Sequence, residues 1–523
     1  MSAVWWWLAT PVSLRHAPID PAQKLDCVSY APFRGAQSPL NSTLQISAEQ
    51  IAADLKQLAT VTGCVRTYSV DNGLDQVPAL AQKAGLKVIH GIWIGSDRLK
   101  NRVQIETTIA LAKEYPGVIS SIMVGNEVLL RGEMTAADLA ALIRQVKAEV
   151  KGIPVSYADV WEFWLRHREI YDAVDFVTIH ILPYWEDFPI RARHAAAHVD
   201  SIRKRMAIAF PNKEILIGET GWPSAGRMRE GALPSRTNQA RVVSEVLELA
   251  RREKYHVNLI EAYDQPWKRE LEGTVGGYWG LFGDDPRELK YPAGQPINNF
   301  PFWRMQWYAG LAYAALVFFA AFMTQRRKPW SPRWTSWVAV GLGATAGGVL
   351  LGVAAEKVLL ESRGAGGWLL WGSMFAAGVT APLLAGVALM SGRALPGFVG
   401  VIGPRQDRER SAVGVLLGLC AAVTAVTALQ TALGFVFDPR YRDFPFASLT
   451  MAVLPLFLLS LLNRPRDGSR PIAEAVFAVA LILSAGYIVV NETFKNWQSV
   501  WTCAVYAGLA LTMWRVRVAR SLE

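Results

Sequence analysis

The chain has 523 residues, more than one ordinary domain needs, and a formal net charge of +10. That charge is unevenly placed: Arg304 to Glu523 holds 20 Lys+Arg against 10 Asp+Glu, which leaves 34 of each before it. The basic excess flanks long apolar runs and forms no basic helix, zinc-finger spacing or RNA-binding motif, which argues against nucleic acid and for a membrane.

The first 22 residues, MSAVWWWLATPVSLRHAPIDPA, hold only a short apolar run and no basic leader, so they make a poor signal peptide. Three consecutive Trp resemble an interfacial belt, and the segment is expected to be the end of a transmembrane helix. From residue 23 to 299 short apolar runs alternate with amphipathic ones. Eight strand candidates occur: LDCVSYAPF, CVRTYSV, LKVIHGIWI, VISSIMVGNE, IPVSYADV, FVTIHILPY, EILIGETGW and NLIEAYDQPW. Helical patterns fall between most of them, one opening with a capping box from Ser47 to Gln50 and another running TAADLAALIRQVKAEV. This alternation predicts a (β/α)8 barrel. A doubly wound open sheet is the alternative, but no GxGxxG follows the first strand.

Chemistry in such barrels sits at the C-terminal strand ends. There the chain places Tyr30, Arg66, Tyr68, Trp93, Asn126, Glu127, Tyr157, Asp159, His180, Tyr184, Glu219, Trp222, Asp264, Gln265, Trp267 and Lys268. Glu127 ends strand four and Glu219 ends strand seven, which face each other across the mouth. Two carboxyl groups so placed suit glycosidic bond cleavage, one giving a proton to the leaving group and the other attacking the anomeric carbon. Asn126 would hydrogen-bond a sugar 2-hydroxyl and Tyr184 would orient Glu219. Trp161, Trp164, Trp185, Trp222, Trp267 and Trp279 are candidate sugar platforms, each alone as apt to be core. His90 and His180 read as satisfied barrel histidines. No metal ligand set and no cofactor motif is present. Cys27 and Cys64 start neighbouring strands, so they are either a disulfide or two free thiols; Cys420 and Cys503 read as core.

The motifs VRTYS (65–69), VGNE (124–127), IGETGWP (217–223), EAYDQPWK (261–268) and GGYWGLFG (276–283) resemble glycoside hydrolase family 17, the β-1,3-glucanase family, over about residues 23–295. The resemblance implies Glu127 as acid/base, Glu219 as nucleophile, a retaining mechanism, and a β-glucan oligo- or polysaccharide as substrate. It also leaves Tyr30, Arg66, Tyr68, Asn126, Tyr157, Trp161, Trp164, Tyr184, Trp185, Trp222, Gln265, Trp267 and Lys268 as binding candidates. The chain departs from the family at Gln265, where an acid is common.

Residues 300–523 contain seven apolar runs of spanning length, near 306–324, 335–357, 367–390, 411–436, 445–463, 473–491 and 497–514. Alternate loops hold fourteen basic residues (Arg326 to Arg333, Arg393 to Arg410, Arg464 to Arg470, Arg515 to Arg520) and the opposite loops five. The bias puts the first set and the C-terminus in the cytoplasm and the barrel outside, with membrane lipid as a partner. Glu356 and Glu474 read as interfacial. This half resembles the multi-span tail of bacterial proteins described as β-glucan synthases, which implies an inner-membrane protein with a periplasmic barrel; no partner synthase is identifiable. The expected activity is elongation, β-1,6 branching or remodelling of β-1,3-glucan. Hydrolysis is the first alternative, and a non-catalytic glucan carrier or sensor the second.

Overall fold

The computed structural model describes residues 1–14, 23–291, 295–327, 332–404, 408–463 and 468–517. Contacts divide the chain into two units: Pro11–Ala225 with Gly231–Ile297, and Met1–Thr10 with Gly226–Glu230 and Asn298–Glu523.

The first unit is a closed parallel barrel. Its strands are β1 (Cys27–Ser29), β2 (Cys64–Arg66), β3 (Lys87–Ile92), β4 (Ile119–Asn126), β5 (Val155–Val160), β6 (Val177–His180), β7 (Ile215–Thr220) and β8 (Val257–Leu259). They pair in chain order, and β8 returns to β1 through Cys27↔Asn258 and Val28↔Leu259. The strands are Val- and Ile-rich and almost wholly buried, as they must be with side chains filling the barrel and helices outside it. Helix starts follow local chemistry: Ser47 caps Ala48–Leu58 through Gln50 N, and Thr135 caps Ala136–Glu149 through Asp138 N.

Inside the barrel an inner layer gathers Cys27, Cys64, Ile89, Met123, Ala158 and Leu216. Cys27 and Cys64 form a disulfide there, the first of the two alternatives open in the sequence. His90 departs from expectation. It is fully buried, and neither ring nitrogen has a partner among the described residues. Burial alone therefore favours its neutral form, pulling its pKa down to about 4.

The second unit is helical. All seven apolar runs form helices: Trp303–Arg326, Trp334–Glu361, Gly364–Met390, Ala412–Phe437, Phe446–Leu462, Ile472–Glu492 and Trp497–Arg515. Among the described residues, five of these are long and apolar enough to cross a membrane by length and composition, against the seven expected. Phe446–Leu462 has only 17 residues. Trp497–Arg515 carries Gln498, Ser499, Thr502 and Thr512 on its buried side, which lowers its apolarity. Within the bundle Tyr506 meets Thr431 at 2.8 Å. The outer faces expose Phe319, Leu369, Leu483 and Val490, an apolar exterior that water would not favour. Glu474, in the first turn of Ile472–Glu492, is buried against protein and accepts the Phe398 N–H at 2.6 Å. The three N-terminal Trp lie in the helix Ser2–Leu8, where Trp5 packs edge-on against Phe300. Of the basic loop residues, Lys328, Arg405, Arg464, Arg466 and Arg520 lie outside the described residues, as do residues 15–22 of the N-terminal segment.

Candidate active site

β4 ends in an unusual turn. Gly125 has φ +90°, and a Cβ there would meet Val128 Cγ2 at 2.6 Å, so glycine is required. Glu127 follows with φ +54°. Its N–H donates to Ala158 O at 2.8 Å and its carbonyl accepts from Arg131 N, which fixes the turn. β6 and β7 run in register His180↔Glu219, so those two side chains reach the mouth side by side. Gly218, just before, leaves room: a Cβ would lie 2.4 Å from Thr178 Cγ2 and 3.3 Å from both Arg66 Nη1 and His180 Cδ2.

Arg66 is the hub. Its Nη1 donates to Gly218 O at 2.7 Å and lies 3.5 Å from Glu219 Oε1, while Nη2 donates to Asn126 Oδ1 at 2.7 Å. Tyr68 donates its hydroxyl proton to Glu219 Oε1 at 2.7 Å, with Ser29 Oγ at 2.7 Å on the far side. Both groups act on Oε1; among the described residues none bonds Oε2. His180 spans the two acids, with Nδ1 2.8 Å from Glu127 Oε1 and Nε2 3.7 Å from Glu219 Oε1. Arg66 Nη1 stands 3.4 Å from Nε2 and can only donate. Nε2 therefore accepts, and Nδ1–H donates to Glu127. Burial pushes the Glu127 carboxyl up, but the His180 bond and the charges of Arg131 and Arg66 outweigh it and hold the group below the usual carboxylate range.

Glu127, His180 and Glu219 each present an atom within 4.8 Å of the others. Such a triangle has the spacing of a metal site. Its interior, however, is occupied by hydrogen bonds and flanked by the Arg66 cation, which opposes a second cation there.

The predicted binding residues divide. Arg66, Tyr68 and Asn126 surround the two acids. Tyr184 packs its buried ring edge-on against Trp185, Trp222 and Trp279. Trp161 is half-exposed; its indole N–H donates to Glu186 Oε1, and the Arg205 guanidinium covers one face. Trp267 is half-exposed and edge-on to Phe33. Five others are enclosed by the barrel instead of lining a cleft, because their polar atoms are already satisfied inside. Tyr30 donates to Asp54, Trp164 to Thr178 O and Trp222 to Leu233 O. Tyr157 donates to Asp159, and Gln265 bonds Ala31 O and the Trp267 indole.

Two features escaped sequence reasoning. His180 bridges the acids, and its register opposite Glu219 is visible only once the strands pair. At the family departure, Lys268 gives both its contacts at 2.9 Å to the two oxygens of Glu261. Glu261 is buried, and its pKa is pushed up to about 7 by burial, against the opposing pull of Lys268.

An acid pair at strand ends, one carboxylate gripped by Tyr68 and Arg66, is an arrangement that glycosidic bond cleavage can use. Residues 27–280 match the model of the BtgE/BtgC glycoside hydrolase domain, which is related to glycoside hydrolase family 17. The chain is 28% identical over 267 residues to a glucan 1,3-beta-glucosidase of Candida albicans, covering 47% of this chain and 86% of that protein. It is 29% identical over 261 residues to the Schizosaccharomyces pombe glucan 1,3-beta-glucosidase, covering 46% and 78%. Among solved structures, the family 17 β-1,3-glucanosyltransferase of Rhizomucor miehei is 26% identical, covering 51% of this chain and 95% of that one, with a TM-score of 0.45.

Proposed function

We propose that this chain is a membrane-anchored, retaining β-1,3-glucan-active enzyme that transfers glucan in preference to hydrolysing it, with Glu127 as acid/base and Glu219 as nucleophile. The observation that carries this is the spacing of the acids: oxygens of Glu127 and Glu219 lie within 4.8 Å. Retention needs carboxyl groups about 5–5.5 Å apart, whereas inversion needs about 6.5–9.5 Å to admit a water.

Tyr68 and Arg66 hold Glu219 Oε1, which leaves Oε2 to attack the anomeric carbon. As that bond forms, the glycosidic C–O bond breaks, and its oxygen takes a proton from Glu127. A resting Glu127 is ionised, so it must first gain that proton; a sugar chain covering the site excludes water and favours the neutral acid. In the second half an acceptor hydroxyl attacks the glycosyl ester, gives its proton to Glu127, and frees the Glu219 carboxylate. Asn126, fixed by Arg66, is placed to meet the sugar 2-hydroxyl.

The names of the relatives support β-1,3-glucan as substrate. The apolar outer faces of the helical unit and the basic loop bias support a multi-span protein with the barrel outside the cytoplasm, in the bacterial inner membrane. The disulfide fits an oxidising compartment. A tethered enzyme suits remodelling of the cell's own glucan, which favours transfer.

The test is to incubate the full-length protein in detergent with a β-1,3-linked oligosaccharide and size the products. Products longer than the donor are expected, including a new linkage such as β-1,6. Only shorter products would make the protein a hydrolase. Glu219→Gln should lower turnover by about 10⁴-fold or more, the scale seen when a catalytic nucleophile is removed. Near-normal turnover would overturn the assignment.

A further inference from the structure

Trp93 is the first residue beyond β3. Ile89 belongs to the inner layer of the barrel, and side chains alternate along a strand, so Trp93 shares its side at the mouth. β3 and β4 pair as Ile92↔Val124, which sets Trp93 beside the turn that carries Glu127. Most aromatic residues of this barrel are buried; Trp93 is 40% exposed.

The indole is also braced. The Arg131 guanidinium lies 4.3 Å from the ring centroid and covers one face. Arg131 is itself fixed: Nη1 donates to Asn126 O, Nη2 donates to Ile94 O at 2.7 Å, and Nε lies 3.7 Å from Glu133 Oε1. An exposed Trp normally costs side-chain freedom when a ligand orders it. Here that freedom is already restricted, and the acceptor-only Glu133 carboxylate stands nearby, partly exposed. A flat, immobilised apolar face beside a hydrogen-bond acceptor matches a β-linked glucosyl ring, which offers axial C–H bonds on its face and hydroxyls on its rim.

We propose that Trp93, braced by Arg131, forms an outer glucan subsite on the Glu127 flank of the cleft. It would stack a glucosyl residue not adjacent to the bond being broken, and so select longer chains. The inference rests on the glucan-active function proposed above.

The experiment compares the full-length protein with Trp93→Ala and Trp93→Phe, using β-1,3-linked hexa- and trisaccharides. Thermal unfolding of each variant controls for folding. Trp93→Ala is expected to lower kcat/KM for the hexasaccharide about ten-fold and for the trisaccharide less than about two-fold, with Phe restoring most of the loss. Equal losses on both lengths, or no loss, would overturn the subsite. Equilibrium binding of the same sugars to chains carrying Glu219→Gln separates the two claims. If the unmodified protein turns over no β-glucan, yet Trp93→Ala erases a preference for the hexasaccharide, the proposed function fails and the subsite stands. If binding shows no length preference sensitive to Trp93, the subsite fails whatever the turnover.

Discussion

His180 lies between the two acids. It donates to Glu127 through Nδ1 and accepts from Arg66 through Nε2, so it holds the Glu127 carboxyl down as an anion. A general acid works only while protonated, so the alkaline limb of kcat/KM follows the pKa of Glu127 in the free enzyme. His180→Ala removes the donor and leaves burial, which pushes the other way. That limb should then move to higher pH, while turnover falls because Glu127 loses its orientation. A limb that stays put or moves down would show that His180 does not set the Glu127 charge. The two acids themselves were legible from sequence, because each ends a strand in a short distinctive motif. The bridge was not, since it depends on a register between β6 and β7 that no local pattern encodes.

At the level of elements, the eight strands and their helix caps were legible because alternation, β-branched content and Ser47 or Thr135 are local signals. Side-chain pairings beyond β8 were less so. Lys268 turns to Glu261, seven residues away in sequence, while Gln265 at the family's acidic position holds Trp267. β3 carries a hidden cost in His90. A buried imidazole with a pKa of about 4 binds no proton in the folded state where an unfolded one, at about 6.5, does. The sign is therefore loss of stability as pH falls from about 6.5 towards 4, amounting to about 3 kcal/mol. His90→Leu should flatten that part of the pH dependence, read from urea midpoints of the barrel between pH 4 and 7. An unchanged slope would mean that other groups carry it.

For the whole molecule, the division into a neutral part and a basic part was plain from charge counts, and so were the seven helices. Their ability to span was less plain, because apolar runs mark helices buried in protein as well as helices in lipid. Phe446–Leu462 is the short one: 17 residues reach about 25 Å, less than a hydrocarbon core of about 30 Å. Reporter fusions decide whether it crosses. With that helix crossing, the loops near 325–334, 392–410 and 463–472 should all report the cytoplasm. A loop at 463–472 that reports the outside would mean that Phe446–Leu462 does not cross, and would invert the helices after it.

The backbone of Glu127 sets durability against chemistry. A side chain at φ +54° costs about 1 kcal/mol that glycine would not incur. Glu127→Gly should accordingly be more heat-resistant than Glu127→Ala by about 1 kcal/mol, the reverse of the usual order for these two residues; equal melting temperatures would show the torsion to be relaxed. Selection for heat resistance alone would thus discard the acid at this position, and its presence would record selection for turnover.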